Sequence, residues 1–270
     1  MTSLSSDLRD RTIQDFGDQW TRYSGNEGYY GSVELFRDIC EPLVPIAEFA
    51  GARVADIGSG SGRIVRMLVE AGAAHVTAVE PSDAIVVLEA NTADLGSRVT
   101  CVHATGDRLP AGLQLDWVVS IGVIHHIPDP DPVLRCAYRA LRPGGRLLVW
   151  VYGREGNQAY LRIAEPLRVL TTRLPHVAIA ALSAALSVAL SLYIGVARIV
   201  PVPLRDYVLS TVAPLSWRKR RLVVYDQLRP TFAKYYSERE VRELLARCGF
   251  QSIATHHRHG YSWTAVGVRR

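Results

Sequence analysis

Cysteine is scarce and scattered in this sequence. The four cysteines lie far apart and form no CxxC pair, at positions 40, 101, 136 and 248. That spacing argues against a zinc site and against a redox-active pair, and we expect no bound metal. Isolated cysteines fit a reducing compartment, and the first fifteen residues are polar, unlike a secretory signal. We therefore expect a cytoplasmic protein.

Lysine is also nearly absent, since it occurs only at positions 219 and 234. Arginine therefore carries most of the positive charge, yet the formal net charge is only +5 on 270 residues. The basic run RKRR at 218–221 is only four residues long, and a run of this length is usually a solvent-exposed surface. With 48% hydrophobic and 21% charged residues, the composition excludes a disordered tail and a disulfide scaffold.

Apolar strand patterns and amphipathic helix patterns alternate from residue 50 onward. The predicted strands are ARVADIG, HVTAVEPS, RVTCVHAT, LDWVVSIG and RLLVWVYG, and the helices between them include GRIVRMLVEAG, DAIVVLEANTAD and DPVLRCAYRALRPGG, the last with a glycine stop. Such alternation predicts a parallel sheet with helices on both faces. Near the end, SEREVRELLARCGF predicts a helix with a capping box of Ser237 and Glu240, followed by two closing strands, QSIATHHR and YSWTAVGVRR.

The alternation stops at residue 153 and returns near 223, which defines the predicted domains. We infer one α/β domain over residues 50–152 and 223–270, interrupted after its fifth strand by a helical insertion at 153–222 that would cap the substrate. Residues 1–30 are polar with interleaved aromatics, and a helical segment is predicted near 33–49. Residues 1–49 are therefore predicted to form an N-terminal helical lid segment.

The stretch VADIGSGSGR, residues 54–63, predicts a tight turn from strand to helix that approaches a ligand. No lysine follows the glycines, so this is not a nucleoside-triphosphate loop, and the third glycine is one residue too early for a dinucleotide loop. A tight turn without a ligand is the plain alternative. Glu80 ends the second strand, where a carboxylate can accept both hydroxyls of a ribose, and Asp107 after the third could accept from an adenine amino group.

In this order, DIGSGSG, Glu80, GDRLP, DWVVSIGVIHHIPD and LRPGG resemble the class I S-adenosylmethionine-dependent methyltransferases, in particular the small-molecule type that includes ubiquinone and menaquinone biosynthesis enzymes. The resemblance covers about 50–152 closely and 237–270 loosely. It implies a Rossmann-like sheet of seven strands, six parallel and one antiparallel. It also implies S-adenosylmethionine as cofactor, lying across the carboxyl ends of the first, second and fourth strands.

The resemblance further implies which residues bind that cofactor. The glycine loop would line its methionine and ribose, Glu80 would bind the ribose hydroxyls, and Asp107 with Arg108 would flank the adenine. The full set is Asp56, Gly58, Ser59, Gly60, Gly62, Glu80, Ser82, Asp107, Arg108, Ser120, Ile121 and Gly122. Three of these residues have a plain structural alternative: Asp107 could be a turn residue, Glu80 a helix cap and Ser120 a packing residue.

Methyl transfer to a hydroxyl or a carbon acid needs a base as well as alignment. His125 and His126 follow the fourth strand, and because adjacent residues of a helical turn point about 100° apart, at most one should face the substrate. Tyr152, after the fifth strand, is the next candidate. Trp20 and Tyr23 could contact the sulfonium by a cation–π interaction, or form only a hydrophobic lid. We read HHRH at 256–259 as solvated and far from the cofactor edge.

These observations favour an enzyme that methylates oxygen or carbon of a small, lipophilic metabolite. A nucleic-acid methyltransferase is the first alternative, but the fourth strand ends in SIGV and not in [ND]PP[FYW], and no appended RNA-binding module is present. A non-methylating cyclase or binder on the same fold is the second alternative, which the sequence leaves open.

Residues 177–197, VAIAALSAALSVALSLYIGVA, are uncharged for twenty-one residues. That length just spans a bilayer, but the many alanines and serines make it less lipophilic than a leucine-rich span. Leu182, Leu186, Leu190 and Ile194 form one helical stripe, and a stripe of small residues lies beside it. We expect first a buried lid helix, then an apolar face on a membrane or a homodimer interface, and last a transmembrane span.

Overall fold

The computed structural model describes residues 2–110, 112–158, 161, 162, 171, 174, 176–203, 205, 208–228 and 232–270. The chain forms two compact units. The first comprises Met1–Asn26, Gly31–Asn157 and Phe232–Arg270, and the second comprises Glu27–Tyr30 and Gln158–Thr231. Part of the predicted insertion at 153–222 lies outside the described residues.

The first unit is built on a seven-stranded sheet in the order β3-β2-β1-β4-β5-β7-β6. Its strands are β1 Arg53–Ile57, β2 His75–Glu80, β3 Val99–His103, β4 Leu115–Ile121, β5 Leu141–Tyr152, β6 Gln251–Arg258 and β7 Ser262–Val268. Only β7 runs against its neighbours β5 and β6. The predicted sheet of six parallel strands and one antiparallel strand is therefore confirmed.

Helices in the first unit are α1 Thr2–Arg22, α2 Val33–Cys40, α3 Arg63–Glu70, α4 Ile85–Thr92, α5 Asp131–Ala140 and α8 Glu238–Arg247. The predicted capping box of α8 is present, since the Ser237 side chain accepts from the Glu240 backbone and the Glu240 side chain accepts from the Ser237 backbone. The expected helix at 33–49 is wrong beyond Cys40, because only a 3-10 turn, Ile46–Phe49, follows.

The predicted glycine stop of α5 is also wrong. The helix ends at Ala140, and Leu141 already has the extended backbone of β5, paired with Leu115 of β4. Arg142 precedes Pro143, and a residue before proline is disfavoured in the helical region. The chain therefore leaves the helix before it reaches the two glycines.

The core of the first unit lies on both faces of the sheet. β1 is buried from Val54 to Ile57, as a central parallel strand covered on both faces should be. On one face, Phe49 packs between Phe36 and Trp117, with ring centroids 5.2 and 5.0 Å away. This packing makes the sheet a rigid frame whose carboxyl edge can hold a site.

The second unit contains α6 His176–Ile199, a π-helical turn Val208–Val212 and α7 Trp217–Leu228. Ile179 near the start of α6 packs on Tyr225 and Leu228 near the end of α7, so the two helices are antiparallel. The stripe of small residues lies inside this unit, since Ser183 and Ser187 are completely buried and their hydroxyls donate to the backbone carbonyls four residues earlier. Small side chains there allow a close approach of neighbouring backbone.

The expectation of a largely buried helix at 177–197 is wrong. Val177–Ile199 is the one described helix long and apolar enough to cross a membrane, but only 22% of its most apolar stretch is buried. A helix of this length and apolar composition in the core of a soluble protein is mostly buried.

Candidate functional site

A cavity of about 510 Å³ lies at the carboxyl edge of the sheet in the first unit. Its floor is formed by the segments that follow β1, β2, β3 and β4. Sequence-predicted residues among those that line it are Gly58, Ser59, Gly60, Glu80, Asp107, Ile121, Gly122 and His126. Four segments that are distant in the sequence therefore converge on one site, as expected at the carboxyl ends of parallel strands.

The glycine loop turns sharply because its glycines adopt backbone angles that other residues rarely reach. Gly58 has φ +78° and Gly60 has φ +53°. A Cβ on Gly58 would lie 2.5 Å from a methyl carbon of Val123, and a Cβ on Gly60 would lie 2.9 Å from the indole nitrogen of Trp20. Glycine is thus required here by protein contacts as well as by backbone conformation.

Glu80 ties this loop to the end of β2. Its carboxylate accepts the Gly60 N–H at 2.8 Å and the Ser82 N–H at 3.0 Å, and the side chain is 4% exposed. The Ser82 hydroxyl also donates to it. Because a carboxylate has about four acceptor positions, these three bonds leave capacity for about one hydroxyl of a ligand. Ser82 therefore orients Glu80 and does not itself line the cavity.

Asp56 lies beneath the loop and is only 1% exposed. Burial is the largest effect on its pKa and raises it to about 7, although the neighbouring Ser59 and Arg63 act in the opposite direction. Its Oδ2 has no hydrogen-bond partner among the described residues. A buried carboxylate with such a raised pKa is typical of functional sites.

Helix α1 forms a wall of the cavity that the sequence analysis largely missed. Arg9, Ile13, Phe16 and Trp20 line it at helical spacing, and Ser6 and Thr12 lie on the same side. This spacing was the available signal, but only Trp20 had been singled out. Tyr23 is not among the lining residues.

The segment after α1 is bonded to the glycine loop. The Asn26 amide donates to the Ser61 carbonyl at 2.8 Å, and the Ser61 hydroxyl donates to the Asn26 side-chain oxygen at 2.6 Å. Asn91 of α4 donates to the same Ser61 carbonyl at 2.8 Å. These bonds hold the end of α1 against the loop that its residues face.

The two adjacent histidines occupy different positions. His126 lines the cavity, and its ring lies 4.6 Å from that of Phe16. Its Nδ1 lies 2.8 Å from the Phe232 carbonyl oxygen, to which it must donate because a carbonyl only accepts. In the neutral ring this assigns the proton to Nδ1 and makes Nε2 the acceptor nitrogen.

His125 is fully buried behind His126 and is not among the residues that line the cavity. Its ring packs on Tyr152, 4.0 Å away, and Tyr152 stacks on Tyr235 at 5.2 Å. Tyr152 does not line the cavity either. Both residues therefore belong to an aromatic cluster that supports His126 from behind.

The remaining predicted cofactor residues lie next to the cavity without lining it. Ser120 is completely buried and its hydroxyl donates to the Ile57 carbonyl, which ties β4 to β1. Gly62 begins α3 with φ +84°. Arg108 is exposed and, like Asp56, is absent from the lining. Their direct contact with a cofactor stays a prediction.

The expectations for HHRH at 256–259 need two corrections. Arg258 is only 3% exposed, because its guanidinium donates to the backbone carbonyl and the carboxylate of Asp38. Arg258 pairs with Ser262, which in turn pairs with Tyr152 at the end of β5, so the run lies at the same sheet edge as the cavity. It is separated from β1 sideways by four strand spacings, about 19 Å.

Within the part of the chain that the structure describes, no group of three or more His, Cys, Asp or Glu side chains is placed to hold a metal ion. The ionisable side chains that line the cavity are one imidazole, three carboxylates and two guanidinium groups: His126, Glu80, Asp107, Asp129, Arg9 and Arg63.

Comparison with known proteins identifies this arrangement. Residues 55–149 match the family described as "Methyltransferase domain". The match spans the glycine loop, Glu80, Asp107 and the two histidines. This part of the chain is a class I S-adenosylmethionine-dependent methyltransferase domain.

The methyltransferase domain is also similar to curated proteins. It is 30% identical over 118 residues to the ubiquinone biosynthesis O-methyltransferase of Pseudomonas putida, and 32% identical over 118 residues to that of Aromatoleum aromaticum. Each match covers 43% of this chain and 50% of the relative. The chain thus spans about half the length of the curated relatives it matches.

Solved structures share the fold over most of the chain. The magnesium protoporphyrin IX methyltransferase of Synechocystis PCC 6803 superimposes with a TM-score of 0.56 at 16% identity, covering 98% of this chain and 99% of that one. The 1,6-didemethyltoxoflavin-N1-methyltransferase of Burkholderia thailandensis gives 0.50 at 17% identity, covering 89% and 85%. At these identities the likeness shows the fold alone.

Proposed function

We propose that the protein is an enzyme that binds S-adenosylmethionine in the cavity and transfers its methyl group to an oxygen or carbon of a small, lipophilic metabolite. The observation that carries this proposal is the convergence of Glu80, Asp107 and His126 on one cavity in a methyltransferase domain. The curated relatives act in ubiquinone biosynthesis as O-methyltransferases, which supports a small-molecule acceptor.

The residues present fit this cofactor. Glu80 can accept from a ribose hydroxyl, Asp107 can accept from an adenine amino group, and the glycine loop lines the cavity beside them. A buried Asp56 would gain from a positively charged ligand nearby, since a cation favours its ionised form.

His126 is the group best placed to remove the acceptor's proton. Its Nδ1 is held by the Phe232 carbonyl, so Nε2 is the nitrogen that can take a proton from the acceptor. When bound, S-adenosylmethionine would supply an activated methyl group on its sulfonium and would leave as the neutral thioether. His126 would take the proton that the acceptor loses.

The apolar part of the cavity lining favours an apolar acceptor. Ile13 and Phe16 of α1 and Ile127 next to His126 contribute hydrocarbon to the lining, which also includes Arg9. Such a surface binds aromatic or isoprenoid groups better than phosphates or nucleic-acid backbone. That residues 153–222 cap the acceptor stays a prediction.

Binding is tested by calorimetry with S-adenosylmethionine and its demethylated product. We expect both to bind, nicotinamide dinucleotides not to bind, and Glu80→Gln to weaken the affinity by about 1–3 kcal/mol, the cost of a lost charged hydrogen bond. Tight binding of a dinucleotide, with none of the sulfonium, would refute the proposal.

Transfer is tested by incubating a library of apolar phenols and quinols with the cofactor and searching by mass spectrometry for the gain of one methyl group. His126→Gln should lower the transfer rate by about 10²–10⁴ with little change in cofactor affinity, as expected for a lost base. His75→Gln is the control, because His75 begins β2 at the edge of the sheet opposite the cavity, and it should retain most of the rate. Equal losses in both variants would show that His126 has no special role.

A further inference from the structure

Helix α6 presents an apolar stripe that the described residues of its own unit do not cover. Val177 is 80% exposed, Val188 53%, Leu192 70% and Ile199 86%. These residues are separated by eleven, four and seven positions along the chain, and at about 3.6 residues per turn this places them on one side of the helix. Small exposed residues lie between them: Ala181, Ala185, Ala189 and Gly195. The stripe is about 33 Å long, since each helical residue rises 1.5 Å.

The same segment carries the excess positive charge of the protein. Residues 158–231 contain ten arginines or lysines and three acidic residues, a net charge of +7, whereas the whole chain has +5. The rest of the chain is therefore slightly acidic. A segment that combines uncovered hydrocarbon with net positive charge is complementary to an anionic lipid surface.

Exposed basic and aromatic groups lie toward the carboxyl end of α6. Arg198 is exposed beside the stripe, and Arg205 is exposed and donates to the Ala197 carbonyl. Arg220 of α7 lies 3.4 Å from the Ser191 hydroxyl, which places the start of α7 next to this half of α6. Arg218 in that first turn is exposed, and Trp217 is 42% exposed. Arginine and tryptophan are typical of the boundary between lipid and water.

Not every residue of the RKRR run is available for such a contact. Lys219 is 7% exposed and its ammonium lies over the Tyr30 ring, 4.6 Å from the ring centre. Arg220 donates to the Ala213 carbonyl. The reading of this run as an ordinary solvated surface is therefore wrong for Lys219, and Arg218 is its exposed member.

We infer that the protein docks on anionic lipid membranes through the exposed stripe of α6, with Arg198 and Arg218 at the headgroups. The helix lies in the interface and does not span it. This inference rests on the proposed function for its biological reason, because an enzyme with a lipid-dissolved acceptor must reach the bilayer. A second copy of the chain is disfavoured, since two segments of +7 would repel each other.

The test is flotation of the full-length protein with vesicles of phosphatidylcholine, alone or mixed with phosphatidylglycerol. We expect binding to the anionic vesicles that weakens with salt. Val188→Glu/Leu192→Glu should reduce it more than tenfold, because two apolar contacts are replaced by charges. Arg198→Gln and Arg218→Gln should each reduce it about fivefold on anionic vesicles only.

Val86→Glu is the matched control, because Val86 is 66% exposed on α4 in the other unit. It should float like the unaltered protein. Each variant is also titrated with S-adenosylhomocysteine, and unchanged affinity shows that it is folded and that the membrane result does not depend on the cofactor site.

Several results would overturn the inference. Flotation unaffected by Val188→Glu/Leu192→Glu would place the lipid contact elsewhere. A dimer in light scattering that this variant converts to a monomer, without flotation, would assign the stripe to a second copy. Retention after a carbonate wash would make α6 an integral span. Binding to DNA or RNA in a gel shift, without flotation, would assign the charge to nucleic acid.

Discussion

Asp56 offers the sharpest test of the site's electrostatics. Its side chain is 1% exposed, and burial raises its pKa from an ordinary 3.8 to about 7. Replacing it by asparagine keeps the shape of the side chain and removes the titratable group. Comparing the free energy of unfolding of Asp56→Asn with that of the unaltered protein at several pH values therefore measures the cost of ionising this carboxyl in the folded protein.

The sign follows from proton binding in the two states. Between pH 3.8 and 7 the folded protein keeps a proton on Asp56 that the unfolded chain has lost, so its contribution to stability is present at low pH and is lost as pH rises through 7. From pH 5 to pH 8 the loss spans about two pH units, which at 1.36 kcal/mol per unit is at most about 3 kcal/mol. The Asp56→Asn variant has no carboxyl at this position, so its stability does not fall for this reason.

The assay is urea unfolding of both proteins, without cofactor, at pH 5, 6, 7 and 8. The difference in the free energy of unfolding, variant minus unaltered, should grow with pH by up to about 3 kcal/mol. Asp131→Asn is the control, because Arg247 lowers the pKa of Asp131 and its contribution changes only below 3.8. A difference for Asp56→Asn that stays constant from pH 5 to pH 8 would refute the reasoning.

Two further substitutions test the geometry of the glycine loop and of α8. Gly60→Ala should lower the free energy of unfolding in urea by about 1–2 kcal/mol, because φ is +53° and the new Cβ would contact Trp20. Part of this cost should vanish when Trp20 is also replaced by alanine, and an equal cost with and without Trp20 would exclude the contact. Ser237→Ala should lower the free energy of unfolding by about 1 kcal/mol through loss of the capping box, and an unchanged midpoint would mean that the cap is dispensable.

The sheet could be predicted because its signals are local. Each buried strand is a short apolar run, and the Ser237–Glu240 capping box is contained in four residues. The end of α5 was missed although its signal is local too. Pro143 restricts Arg142, and Leu141 is drawn into β5 by its pairing with Leu115. Strand pairing therefore ended the helix before the chain reached the two glycines.

The orientation of the site could not be predicted because it depends on distant partners. Which of His125 and His126 faces the cavity is decided by the Phe232 carbonyl, 106 residues further along the chain. The helical spacing of Arg9 and Phe16 likewise indicates that they share one face of α1, but not that this face lines a cavity. A sequence pattern indicates which face of a helix is apolar, but not what that face covers.

Contacts of α1 connect the glycine loop with the proposed base. Trp20 of α1 fills the space beside Gly60, while the N–H of Gly60 is bonded to Glu80. A movement of α1 therefore changes the surroundings of the residue proposed to hold the ribose. Phe16, one turn earlier on the same helix, contacts the His126 ring. One helix thus contacts both the glycine loop and the proposed base, so a change in the position of α1 would alter the surroundings of both.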